Sequence, residues 1–295
     1  MRCHAARCLL LGLLSWVAAS CGHDGESRDP RAVAAAGADA FYDTLFGLQD
    51  RAEEAIALLE AAGRYDPNDG LAAFRLGMMH LFRFSQHIAD FWNPTEFDRV
   101  EIVRAHEALN RAVILLPEDR RVPGFRAAAT YMRGVVHKDE QLRQVGLQQL
   151  RAAIELYPEF NSFDFIGVVA PTVSAHDPLY AEVMQYVGDP LNAACSPFTQ
   201  PEICGNAGKA PHNIEGSLLL FGDLFAKAGD AARAAGFYRL ALTPFSTEPW
   251  RFRSIVEERL RTVNERIALY QDHDLANDPP LAGYRAEACA ICHYR

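Results

Sequence analysis

The sequence predicts an all-α protein, and three observations carry that expectation. Apolar residues recur at helical spacing through most of the chain. Strand signals are nearly absent beyond residue 38, where Ala, Leu, Arg and Glu dominate. One short pattern also occurs three times. Ala55, Leu59, Ala62 and Pro67 are spaced four, three and five residues apart; Ala105, Leu109, Ala112 and Pro117 repeat that spacing, as do Gly146, Leu150, Ala153 and Pro158. Steps of four and three return to one helix face, so each trio forms a stripe. Small residues in a stripe let another helix approach closely. The proline then ends the helix, because it lacks an N–H and clashes with the preceding turn.

These stripes resemble the second helices of tetratricopeptide repeats. Residues 215–248 match that family best. Phe221-Gly222 stands where the family has Leu-Gly, Phe225 is the aromatic that follows, and Gly229-Asp230 makes the turn. Ala234, Tyr238 and Ala241 form the second-helix stripe, with Pro244 two residues early. Leu76-Gly77 with His80 also falls at first-helix spacing, whereas the other first helices are degenerate. The stops Pro67, Pro117 and Pro158 lie 50 and 41 residues apart. The family period is about 34, so insertions are needed. The resemblance covers roughly Asp39 to Asp272. It implies helical hairpins stacked into a curved solenoid whose groove takes a protein or peptide partner, and it implies no catalysis.

Ahead of this body stands a targeting segment. Arg2 and Arg7 are followed by an apolar run from Leu9 to Ala19. Roughly ten residues suit a signal-peptide core and are too few for a membrane span, which needs about 20. Ala18, Ala19, Ser20, Cys21 and Gly22 come next. That run resembles the lipobox of bacterial lipoproteins, which implies lipidation of Cys21 after removal of residues 1–20. The family prefers Leu where Ala18 stands, so cleavage by an ordinary signal peptidase is the alternative. Gly22 rather than Asp after the cysteine resembles an outer-membrane address, which implies an anchored protein facing the periplasm. Residues 21–38 are small, polar and charged and are expected to form a tether.

Removing residues 1–20 takes away two arginines and no acid, leaving 27 basic against 38 acidic residues and a net charge of −11. Nucleic-acid binding needs a basic footprint, so that class is set aside. Seven cysteines less Cys3, Cys8 and Cys21 leave Cys195, Cys204, Cys289 and Cys292. Four cysteines in an oxidising compartment are open to pairing. The stretch from Gly188 to Pro211, with four prolines and three glycines, reads as a loop inserted in the helical body. A Cys195–Cys204 disulfide would staple it and contribute about 2–3 kcal/mol by loop closure.

The sharpest chemical signal lies in the tail, residues 273–295. Cys289-Ala290-Ile291-Cys292-His293 is a CxxCH, the attachment motif of c-type haem. Two thiols add to the haem vinyl groups as thioethers, and the next histidine is placed to ligate iron. Only Tyr294 and Arg295 follow, so the small cytochrome fold that usually surrounds this motif is not expected. A haem here needs the helical body as its housing. Its distal ligand is not legible; His273, His212 and Met184 are the candidates considered. Competing readings are a structural disulfide within the CxxC or across to Cys195 and Cys204, and a metal or reactive thiol site.

Other groups read as structural. His80 and His87 share a helix face as a packed or groove-lining pair, and Phe82, Phe84, Phe91 and Trp92 read as core. Asp272, Asp274 and Asp278 lack the EF-hand pattern and read as a solvated acidic turn. No nucleophile elbow, zinc-protease motif, phosphate loop or dinucleotide fingerprint occurs, so side-chain catalysis is disfavoured. The expected function is a membrane-anchored scaffold that binds a protein partner, a redox protein among the candidates, and carries one c-type haem. The alternative is a haem-free, disulfide-stapled interaction module.

Overall fold

The computed structural model describes residues 29–194, 213–243, 250–285 and 288–294. Those residues form thirteen α-helices and no strand, as the periodicity predicts. Consecutive helices pack in pairs: α1 (Pro30–Leu45) with α2 (Ala52–Tyr65), α3 (Gly70–His87) with α4 (Glu96–Leu115), and α5 (Val122–Val136) with α6 (Glu140–Leu156). Next come α7 (Pro158–Val169) with α8 (Pro178–Ala194), and α9 (Ile214–Lys227) with α10 (Ala231–Ala241). Helices α11 (Arg253–Arg261) and α12 (Val263–Tyr270) pack on this last pair. A final turn, α13 (Ala290–His293), touches both α9 and α1.

Local chemistry sets the helix starts. Asp69, Asp139, Asn213 and Asp230 each accept a first-turn N–H, and Thr95 with Asp98 forms a capping box. Each such cap is worth about 1 kcal/mol. Pro30 and Pro158 occupy first helical positions, where a missing N–H costs nothing.

The three sequence stripes lie on α2, α4 and α6, the second helices of the first three pairs, and every member is buried. Their partners are glycines on the first helices. A Cβ at Gly77 would stand 2.6 Å from Leu109 Cγ, and one at Gly37 would stand 3.1 Å from Leu59. Gly222 meets the Tyr238 ring in the same way. The third pair reverses the sizes: Gly146 on its second helix faces Tyr131 on its first. In each case one helix gives up a side chain and the other fills the space, which keeps the axes close. His80 and His87 each bond a carboxylate of α4, Glu101 at 2.8 Å and Asp98 at 2.9 Å.

Three expectations need correction. The tether expected to run to residue 38 is helical from Pro30, because Asp29 accepts the Arg31 N–H and Pro30 presets the first turn. The stretch expected as loop from Gly188 is helical as far as Ala194, the last residue of α8. The tail, a polar stretch that reads as having little core of its own, contributes Leu281, Ala282, Ala290 and Ile291 to the main apolar core. Cys21, Cys195, Cys204, His212 and Pro244 lie outside the described residues.

Leu109→Ala should lower unfolding free energy by about 2–5 kcal/mol, because its cavity opens between two helices. Ile114→Ala, one turn further along α4 but 77% exposed, should change it by about 0.5 kcal/mol or less. Urea denaturation followed by circular dichroism measures both.

Candidate functional site

The inward faces of α1, α3, α5, α7 and α9, the first helices of the five pairs, wall a cavity of about 520 Å3. Phe41 and Leu45 come from α1, Phe74, Met78, Leu81 and Phe84 from α3, Phe125 and Met132 from α5, Phe160, Phe163 and Val168 from α7, and Leu220 from α9. Polar groups are few: Tyr42, Ser85, Arg121, Asp164 and Ser217. The C-terminal segment adds Tyr284, Cys289, Cys292 and His293 to the lining.

The cavity has two ends. Ring contacts of 5.6 Å between Phe74 and Phe125 and 5.7 Å between Phe125 and Phe160 bring the first turns of α3, α5 and α7 together. At the opposite end Tyr284 packs edge-on against Phe91 at 5.3 Å and donates its hydroxyl to the Gly167 carbonyl at 2.7 Å. The helical rise from Phe74 to Ser85 makes the long dimension roughly 16 Å.

The tail is held by three sets of bonds. Asp278 pairs with the buried ammonium of Lys227 at 2.6 Å. Burial pulls that ammonium below its ordinary value, and the Asp278 carboxylate opposes the shift. Asp278 therefore leaves the acidic turn expected from the sequence, whereas Asp272 and Asp274 stay in an exposed turn. Asp223, fully buried on α9, then accepts from Arg259 at 2.5 Å, Tyr238 at 2.8 Å, the Ala282 N–H at 2.8 Å and Arg266 at 3.4 Å. Finally Asn213 joins the α9 cap to the CxxCH turn. Its Oδ1 accepts from Gly216 at 2.6 Å, while its Nδ2 donates to the carbonyls of Ile291 at 3.1 Å and Tyr294 at 3.4 Å. The Asn213 N–H donates to the Cys292 carbonyl at 2.6 Å. Gly216 must lack a side chain here, since a Cβ would strike the Ile291 carbonyl and Cys292 Cα.

Within the motif the N–H groups of Cys292 and His293 both donate to the Cys289 carbonyl at 3.1 Å, which curls the five residues into one turn. Cys289 and Cys292 are free thiols, half-buried on the cavity wall. Burial pushes the Cys289 thiol up to about 11, against a lowering contribution from a hydrogen bond with Ser85. Burial, then the neighbouring Cys289, pushes Cys292 up to about 12. Both are protonated at neutral pH.

The structure brings Cys289, Cys292 and His293 together at one end of the cavity. His273 is not on its wall; it sits in a turn at φ 69° and stacks on His176 at 4.3 Å. Met184 packs against the core without lining the cavity. Phe84, expected in the core, is buried and also forms cavity wall. Met78, Met132 and Asp164 were not singled out from the sequence. A signal existed: Phe74, Met78, Leu81 and Ser85 step four, three and four along α3, and Phe125, Ala128 and Met132 step three and four along α5.

Comparison with protein-family models, with curated proteins and with solved structures returned no match. The reading of function therefore rests on the site.

Asp223→Ala should cost about 3–5 kcal/mol, because it leaves buried guanidinium groups without their counter-charge. Chemical denaturation reads that loss. In the haem-free chain, iodoacetamide should modify Cys289 about 100-fold more slowly at pH 8 than a thiol with the ordinary value near 9. The rate should climb about tenfold per pH unit up to about 11. Gly216→Val should remove most of this protection by lifting the tail. A fast wild-type rate would mean that the tail does not dock.

Proposed function

We propose that the chain is an exported, tetratricopeptide-like helical scaffold that carries one c-type haem in its central cavity and exchanges electrons with a protein partner. The observation that carries this reading is the position of the CxxCH. Both thiols and the His293 side chain line one apolar cavity. The donor set fits the group, since two adjacent thiols and the next imidazole are what covalent attachment and iron ligation require. The size fits as well: 520 Å3 falls within the range of about 300–1,000 Å3 typical of cofactor and drug-sized sites.

Cys289 and Cys292 would hold the haem as thioethers and His293 would ligate its iron. Met78 and Met132, thioethers among the lining residues, would be candidates to complete the iron's ligand set. When bound, the haem supplies one-electron redox chemistry. The chain's own part is to exclude water with the Phe41, Phe74, Phe84, Phe125, Phe160 and Phe163 rings and to fix the attachment turn through Asn213. The repeated glycine–large side chain pairing supports the tetratricopeptide-like reading. Its inner groove, on this view, houses a cofactor and the chain's own tail, so a protein partner docks elsewhere.

Export and anchoring through Cys21 remain part of the proposal on the strength of the N-terminal sequence. Among the described residues no helix is long and apolar enough to cross a membrane.

Intact mass and a reduced absorption spectrum of the protein from its native envelope test the reading. A haem adduct with c-type bands is expected. Cys289→Ala/Cys292→Ala should lose all covalent haem and keep its helical circular dichroism. Covalent haem retained by that variant overturns the assignment. A wild-type mass without haem and short by four hydrogens (two disulfides) makes this the disulfide-stapled interaction module instead.

A further inference from the structure

Among the described residues that line the cavity one is acidic, Asp164 on α7. Its Oδ2 is buried with no hydrogen-bond partner among the described residues. The atom lies against Gly124 of α5, where any Cβ would strike it. Its polar neighbour there is Asn161, whose Oδ1 would be 2.6 Å from the same Cβ. The Asn161 amide is already committed. Its Nδ2 donates to the carbonyls of Ala153 at 2.6 Å and Arg120 at 3.1 Å, so its oxygen is the atom turned towards Gly124. Asp164 therefore meets an acceptor and apolar walls rather than a cation. Burial alone pushes its carboxyl well above the usual carboxylate range. Asp164 as a whole is half-buried, with one oxygen withdrawn and unpaired; a carboxyl so placed destabilises a fold, and such groups concentrate at functional sites.

We propose that Asp164 binds the proton that accompanies the electron when the haem in this cavity is reduced. The inference rests on the haem reading above. An electron entering an apolar cavity adds a charge that the low-dielectric wall cannot screen. A group that can take up a proton cancels it. The other titratable groups on the wall are excluded in turn. Arg121 is bound to Asp119 at 2.6 Å and keeps its charge. Burial raises the Tyr284 phenol, which donates to Gly167. Tyr42 packs its ring on Phe41 at 5.1 Å and on Phe46 at 5.6 Å. Cys289 and Cys292 become thioethers, and His293 is taken by iron. Neither Gly124 nor Asn161, the groups packed on Asp164 from α5 and from α7, titrates.

The balance is simple. A one-electron donor, a redox protein in the cell or dithionite with mediators in the test, gives one electron and is itself oxidised. The bound group would accept that electron and its charge would fall by one. In the oxidised state the positive charge of the bound group would hold Asp164 as a carboxylate against its burial; once that charge is lost Asp164 would take one proton from water and become a carboxylic acid, so the total charge in the cavity is unchanged.

Two measurements test this, one on the loaded protein and one on the haem-free chain. In the loaded protein the midpoint potential should fall with rising pH, tending towards one proton per electron. Asp164→Asn should flatten that slope, and Asp164→Glu should restore it. In the haem-free Cys289→Ala/Cys292→Ala chain the native state keeps a proton that the unfolded state releases above the ordinary Asp value. Stability should therefore fall as pH rises above that value, and adding Asp164→Asn should remove this part of the fall. A loaded protein whose potential has the same pH slope with and without Asp164 overturns the coupling and leaves the haem reading intact. Equal pH profiles of stability with Asp and Asn also overturn it, because Asp164 would then ionise as an exposed residue does. A wild-type chain without haem overturns the haem reading, and the coupling with it.

Discussion

The arrangement of the site depends on one buried carboxylate. Asp223 sits in the middle of α9 with no solvent exposure and binds groups from three separate stretches: Tyr238 on α10, Arg259 and Arg266 on α11 and α12, and the Ala282 N–H of the tail. A charge so placed is tolerable only because every neighbour is a donor. The same guanidinium groups reach beyond it. Arg266 donates to the Pro280 carbonyl at 3.0 Å and Arg259 to the same carbonyl at 3.3 Å. A proline-rich extended strap is thus fixed to the helical body by its backbone, where it has few side chains to pack. Without that fixation Tyr284 and the CxxCH turn would have no defined position over the cavity.

Two kinds of apolar stripe divide the labour. Stripes on the second helices are built from Ala, Gly and Leu and settle the distance between the paired helices. Stripes on the first helices are built from Phe, Met and Leu and face inward, where no further helix fills the space. The first kind was legible in the sequence because proline ends each copy at a constant offset, as at Pro67, Pro117 and Pro158. The second has no terminator and is broken by polar members such as Ser85 and Asp164, so its residues looked like ordinary core. Phe84 shows the difficulty, since it is buried and lines the cavity at once.

The CxxCH was also legible as a motif, because it is five consecutive residues and needs no fold to bring them together. Its surroundings were not. The groups that hold it come from Asn213 and Gly216, nearly eighty residues earlier, and from Gly47 in the loop after α1, which packs beside the Tyr294 ring. Proximity along the chain drew attention to His273, which the turn after α12 carries away to His176. Asp223 hid inside the run Phe221-Gly222-Asp223-Leu224, where repeat spacing explains the glycine and says nothing of the acid beside it.

The position of the motif in the chain has a kinetic consequence. Each hairpin joins residues a few tens of positions apart, whereas Tyr294 meets Gly47 across almost the whole described length. Contacts between near neighbours form quickly, and closing a long loop is slower. The five walls are therefore expected to assemble before the tail docks on them. Until the tail docks neither thiol has a wall to pack on; once it has docked both are half-buried among the cavity residues. Chain order thus sets a window of time for any covalent chemistry at Cys289 and Cys292, closed by folding itself.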